Sequence, residues 1–368
     1  MITPLLSLTV PTVKTLADCT DFTITVSPYL PQLYALPRQV FARINDFNAL
    51  KELYITTNPL ITALAFALFL ASVVLVVSEV NKNYSQVDRL WGIIPVLFNS
   101  HYALWAHLAG LPAQRLDHVM SVSILWGMRL TFNYWRKGGY TIGSEDYRWE
   151  VVKDYTGPFW MFGLNVAFIS LGQCLLLFAI TTPTYILLLS GRVIGDELTT
   201  YDNLFPKVMF ALIVVEFFSD HQQWYFYGAR EEYRSTAKVP RDSIYTREQL
   251  DRGFNTSGLW AWSRHPNFAA EQGFWVCLYQ WACCESFTFA NWTFAGAFGY
   301  LILFQASTWF TELISARKYP EYKIYQQRVG RFLPKPKTRS MEELKKEEKV
   351  EETKGKREIK GSGKTKKR

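Results

Sequence analysis

Residues 59–79 read PLITALAFALFLASVVLVVSE, an apolar run with no charge before its last residue, Glu79. A membrane-crossing helix needs roughly 20 mainly apolar residues to pass a hydrocarbon core of about 30 Å. This run meets that requirement and sets the fold class. Six further segments follow it: 90–110, 118–135, 158–183, 205–227, 268–287 and 291–313. The third of the seven carries Arg129, and the fifth turns polar at Glu216, Asp220 and His221. TYILLLSG, just after residue 183, either extends the fourth span or lies at the interface. The expected fold is all-α, a polytopic membrane bundle of about seven transmembrane helices.

Charge distribution gives this topology an independent footing. Lys and Arg in the loops between spans number two, one, four, one, seven and none, with 19 after the last span. High and low counts alternate, as the positive-inside bias requires for seven spans with a cytosolic C-terminus. The chain divides into a non-cytosolic segment 1–58, a transmembrane domain 59–334 and a charged tail 335–368. That tail holds 14 Lys/Arg and 7 Asp/Glu and almost nothing large and apolar, a composition that favours disorder. Thirteen Trp and twenty Tyr suit interfacial aromatic belts. The five cysteines show neither metal-ligand spacing nor a disulfide framework. No secretory signal opens the chain. No P-loop, dinucleotide-binding glycine motif, HExxH or serine triad stands out, and neither a metal nor a nucleic-acid partner is expected.

Three polar constellations lie in or against the spans. In WSRHPNF (262–268), Pro266 suits a first helical turn, where its missing N–H costs nothing. A helix starting there places Asn267 and Glu271 on one face, with Arg264 and His265 at its anion-favouring mouth. That set suits a phosphate-bearing ligand with an amide or ribose lying deeper; the bland alternative is an anchoring arginine and a capping asparagine. Glu216, Asp220 and Gln223 line one helical stripe, with His221 and Arg230 nearby. They hold a ligand, a cation or an arginine, or they are an ordinary helix end reaching the cytosol. Glu312, Arg317, Lys318, Tyr322, Tyr325 and Arg328 put cations beside tyrosines, which suits nucleotide phosphates and adenine or anionic headgroups.

At these places the chain resembles the membrane steroid 5α-reductase superfamily, most closely its uncharacterised steroid oxidoreductase branch. SRHPNFAAE is similar to that family's Arg-His-Pro-Asn-Tyr-x-Gly-Glu motif, and TELISARKYPEYKIYQQRVGRFLP to its closing segment. SQVDRLWGIIP and GSEDYRW resemble further blocks of the branch. The likeness covers about residues 60–337. It implies a bundle open to the cytosol that binds NADPH there and takes a steroid or other lipid from the bilayer. Asn267 and Glu271 would meet the nicotinamide–ribose half, with Arg264 and His265 beside the phosphates. Asp220 matches an adenosine contact and Arg230 a phosphate contact. Tyr322, Tyr325 and Arg328 would close over the cofactor. The implied reaction is hydride transfer to an alkene conjugated to a carbonyl, with Glu79, Tyr102 and Tyr134 as candidate proton donors. Two residues depart from the motif, Phe268 for Tyr and Ala270 for Gly. The Arg-His-Pro motif also occurs in isoprenylcysteine carboxyl methyltransferases, so an S-adenosylmethionine-dependent methyltransferase is the enzymatic alternative. A non-catalytic membrane scaffold or lipid-binding protein is the other. Lys364 and Lys366 near the end resemble a cytosolic signal for the endoplasmic reticulum, the expected location.

Overall fold

The computed structural model describes residues 9–336, 338 and 340–343. Among these the chain is helical, with no strand and one isolated parallel bridge between Ser263 and Gly330. The reading of a disordered tail, and of its lysine signal, falls almost wholly outside the described residues.

Eleven helices carry the architecture: α1 Leu30–Arg43, α2 Phe47–Thr56, α3 Pro59–Asn81, α4 Ile94–Ala109, α5 Gln114–Arg136, α6 Tyr147–Leu164, α7 Pro183–Ile194, α8 Thr200–Thr236, α9 Pro266–Glu285, α10 Phe294–Lys318 and α11 Tyr322–Arg328. Each of the seven apolar segments is helical over most of its length. Two stretches are long and apolar enough to cross a membrane, α3 and Tyr147–Ile194. The second is not one straight helix. Gly157 leaves helical geometry at φ 69° and Pro158, which cannot continue the ladder, restarts it. A π-helical turn, Asn165–Gly172, then leads through Gln173–Ala179 to α7. TYILLLSG therefore forms a helix of its own, and its residues are buried in protein.

The chain forms two compact units. The first takes in residues up to Ile213 with Gln272–Gln305, the second Val214–Glu271 with the described residues from Ala306 on.

In the first unit, α3 begins where the sequence provides a cap. Asn58 Oδ1 accepts the Leu60 amide at 2.9 Å and Pro59 occupies the first helical turn. The N-terminal segment is tied to this point. Gln32 Oε1 accepts the Asn58 amide at 2.9 Å, and Tyr185 donates to the Thr25 carbonyl at 3.0 Å while accepting from Asn58 Nδ2. Core packing centres on Trp126, whose ring lies 4.9 Å from Trp275 and 5.9 Å from Phe274. A buried ion pair, Arg115–Asp202 at 3.2 Å, is completed by the Trp281 indole donating to Asp202 at 3.0 Å.

The two segments SQVDRLWGIIP and GSEDYRW, about 60 residues apart, meet in this unit. Asp146 N donates to Ser85 Oγ at 2.9 Å, Tyr84 N to Glu145 at 2.7 Å, and the Trp149 indole to Asp88 at 3.1 Å.

Gly127, on α5, comes into close backbone approach with Gly92. A Cβ on Gly127 would stand 2.4 Å from the Gly92 carbonyl oxygen, so no side chain fits without moving the backbone. Gly127→Ala should cost roughly 1–3 kcal/mol through overpacking. Thermal unfolding of the purified protein in detergent checks this, with Gly163→Ala, where nothing lies within 4 Å, as the tolerated control.

Candidate functional site

The second unit is built around the stretch that opens α9. Pro266 is its first residue, as its missing N–H favours. The preceding residues are stitched to the segment after α11. Arg264 N donates to the Gly330 carbonyl at 2.9 Å, and His265 N to the Arg331 carbonyl at 3.1 Å. Gly330 is required there, because a Cβ would fall 1.8 Å from the Leu333 carbonyl oxygen.

Glu312, on α10, is the centre of this knot. Arg264 grips its carboxylate with two bonds, Nε to Oε1 at 2.6 Å and Nη2 to Oε2 at 3.1 Å. His265 Nε2 reaches Oε1 at 3.0 Å, Gln326 donates to Oε2 at 3.1 Å, and Arg331 stands 3.7 Å away. Arg264 Nη1 also donates to the carbonyls of Gln326 and Val329. All three members of the Arg264–His265–Glu312 set are buried. The sequence reading set Arg264 and His265 beside phosphates. Their observed partners are Glu312 and the backbone of the closing segment. Burial lowers the His265 pKa, against the pull of Glu312, so the neutral ring donates from Nε2. Phe268 stacks on His265, with centroids 5.6 Å apart and planes 22° apart.

Beside this knot lies a group of buried polar side chains. Asn267 donates to Asp220 Oδ1 at 3.1 Å, so the structure joins two of the predicted contacts directly. The other end of the amide, Asn267 Oδ1, is buried without a hydrogen-bond partner, and so is Gln223 Oε1. Glu216, Asp220 and Glu271 are all buried carboxylates. Gln222 and Ser219 pin the following loop to α8. Leu259 N donates to Gln222 Oε1 at 2.9 Å, and the Trp260 indole to the Ser219 carbonyl at 3.1 Å.

A third set joins a cation to a ring that the sequence reading did not single out. Arg230, buried and with no hydrogen bond at Nε, lies 5.5 Å from the centroid of Tyr319, and Lys318 approaches the same ring at 5.5 Å. Gly253, at φ 87°, leaves the room, since a Cβ there would meet Tyr319 at 2.7 Å and Arg230 at 2.9 Å. Arg317 is exposed. Tyr322 and Tyr325 are buried with Phe254 in an aromatic cluster, and Tyr325 donates to the Trp260 carbonyl at 2.5 Å. Arg328 donates to the Ser340 carbonyl at 3.2 Å. These last three thus hold the closing segment and the loop before Arg264.

The three candidate proton donors sit in separate surroundings of the first unit. Glu79 bonds Lys82 at 2.6 Å and Asn165 at 2.7 Å, bracing the π-helical turn. Tyr134 lies edge-on to Tyr140. Tyr102 is fully buried, and its hydroxyl has no hydrogen-bond partner. Tyr102 thus has a buried, unpaired donor of the kind a substrate carbonyl would need. Among the described residues no cluster of His, Cys, Asp and Glu is placed to hold a metal ion.

Residues 74–329 match the family model described as "Protein of unknown function (DUF1295)". The chain belongs to that family. It is also 38% identical over 333 residues to "Uncharacterized protein C594.04c" of Schizosaccharomyces pombe, across 90% of this chain and 94% of that protein. No solved structure matches at a significant level. The DUF1295 span contains every candidate cofactor contact from Asp220 to Arg328. It ends at Val329, whose carbonyl Arg264 holds, and it leaves out α1 and α2.

Removing either partner of a buried ion pair strands the other charge, at a cost of roughly 3–5 kcal/mol. Arg264→Ala and Glu312→Ala should each be destabilised on that scale in denaturant melts, and Arg264→Met/Glu312→Leu less than either single variant. A histidine with a lowered folded pKa contributes stability that is present above its unfolded value of about 6.5 and lost as pH falls through the folded value. The difference in Tm between wild type and His265→Gln should therefore shrink as pH drops below about 6.5.

Proposed function

We propose that this chain is a multi-pass protein of the endoplasmic reticulum membrane, with about seven spans and a cytosolic C-terminus. In this reading it uses NADPH to reduce a carbon–carbon double bond conjugated to a carbonyl in a steroid or other lipid. The alternating loop charges, the seven helical apolar segments and the two stretches long enough to cross a bilayer support the topology.

One observation carries the cofactor proposal. Buried polar atoms left without partners cost about 1–3 kcal/mol each, yet the second unit keeps several: Asn267 Oδ1, Gln223 Oε1 and Arg230 Nε. A ligand with amide and hydroxyl groups at one end and phosphates at another would satisfy them. Asn267 and Glu271 would hold the nicotinamide–ribose half, Asp220 and Gln223 the adenosine hydroxyls, and Arg230, Lys318 and Arg317 the phosphates. Tyr319 offers a flat face between two of those cations. Arg264 and His265 serve by position, fixing the start of α9 and hence Asn267. NADPH, when bound, supplies the hydride; the protein orients it and keeps water away. The likeness of SRHPNFAAE to the reductase motif supports the same assignment.

The buried carboxylates Glu216, Asp220 and Glu271 favour a second reading, because with Arg264 neutralised by Glu312 they suit a cationic ligand such as S-adenosylmethionine. Calorimetric titration of the detergent-solubilised protein separates the two. Saturable NADPH binding is expected. Asn267→Ala and Arg230→Ala should weaken it roughly ten- to a hundredfold, the worth of a hydrogen bond involving a charged group. Binding of S-adenosylmethionine and not NADPH would overturn the reductase assignment.

A further inference from the structure

The N-terminal helix α1 presents an apolar face that is exposed among the described residues. Leu30, Tyr34, Pro37, Phe41 and Ile44 recur at i, i+4, i+7, i+11 and i+14, so they form one stripe. Tyr34 is 85% exposed, Phe41 79% and Ile44 59%, and Phe47, at the start of α2, continues the patch at 79%. Leu36, on another face, is buried and fastens the helix to the first unit. Contiguous exposed apolar surface of this kind marks a contact.

The height of this helix is set by a bond already described. Gln32, on α1, accepts the amide of Asn58, the cap residue immediately before the apolar helix α3. α1 is therefore held where the chain passes from its polar surroundings into its longest uninterrupted apolar helix. We propose that α1 is an interfacial helix, its Leu30–Tyr34–Phe41–Ile44 stripe lying at the boundary between headgroups and acyl chains of a phospholipid bilayer. The inference rests on the reading that α3 crosses that bilayer.

Charge chooses the lipid over a second copy of the chain. α1 carries Arg38 and Arg43 and no acid. Long arginine side chains beside an apolar stripe can reach lipid phosphates while their stems stay against the acyl region. A two-fold contact through the same stripe would instead bring a helix bearing only positive charge against itself.

The test uses the full-length protein in phosphatidylcholine vesicles containing a phosphatidylcholine with a diazirine on its acyl chain. After illumination, adducts are mapped by peptide mass spectrometry. Adducts are expected on Tyr34, Phe41, Ile44 and Phe47 as well as on the outward Phe66 and Phe69 of α3. A Tyr34→Ser/Phe41→Ser variant should lose the α1 adducts severalfold and keep those on α3. Adducts on α3 with none between residues 30 and 47 would overturn the inference alone, as would cross-links joining α1 of two copies. Absence of adducts on α3 would overturn the membrane reading and this inference with it.

Discussion

The second unit depends on one buried carboxylate. Glu312 receives Arg264 through two bonds and His265 and Gln326 through one each. A buried ion pair is often no more stabilising than well-packed hydrophobic residues, but it allows few geometries. Here the geometry propagates. The third nitrogen of Arg264 holds the carbonyls of Gln326 and Val329, and the neighbouring amides hold those of Gly330 and Arg331. The closing segment can lie in one place only, and the first turn of α9 is fixed with it.

That constraint gives the motif departures a physical setting. Phe268, where the resembling family has Tyr, stacks on the ring that donates to Glu312. Its aromatic body thus has packing to do that needs no hydroxyl. Ala270 is buried on the next turn, where a methyl group is accommodated. Asn267 and Glu271, the polar residues of the same helix start, keep their identity, and Asn267 donates to Asp220. The residues that depart, Phe268 and Ala270, are residues that pack, and among those that match Asn267 keeps a buried oxygen without a hydrogen-bond partner.

Much of the helical framework was legible because hydropathy and caps are local signals. The run 59–79 became α3 with Asn58 and Pro59 opening it, and Pro266 opened α9. Breaks inside apolar runs were harder to read. Hydropathy is blind to the turn of Ile180, Thr181 and Thr182 between Gln173–Ala179 and α7, so TYILLLSG read as an appendage of the fourth segment. Pairings at long range were not legible. Arg264 and Glu312 are 48 residues apart, and no periodicity links them. The sequence offered Tyr322 and Tyr325 as residues over a ligand, because composition cannot tell a ring that covers a site from one that fills a core. Tyr319 and Gly253 were missed for a related reason, since their roles exist only once the loop and the end of α10 face each other.

The order of synthesis gives the Glu312 contact one more consequence. Domains form as the chain emerges from its N-terminal end, and Arg264 is made long before the carboxylate that neutralises it. Until α10 is complete and Val329 to Arg331 have followed, the start of α9 is an arginine and a histidine without their partners. The second unit is therefore the last part of the protein able to close. A nascent chain halted between residues 265 and 311 would show a quality-control system an uncompensated positive charge beside an apolar helix.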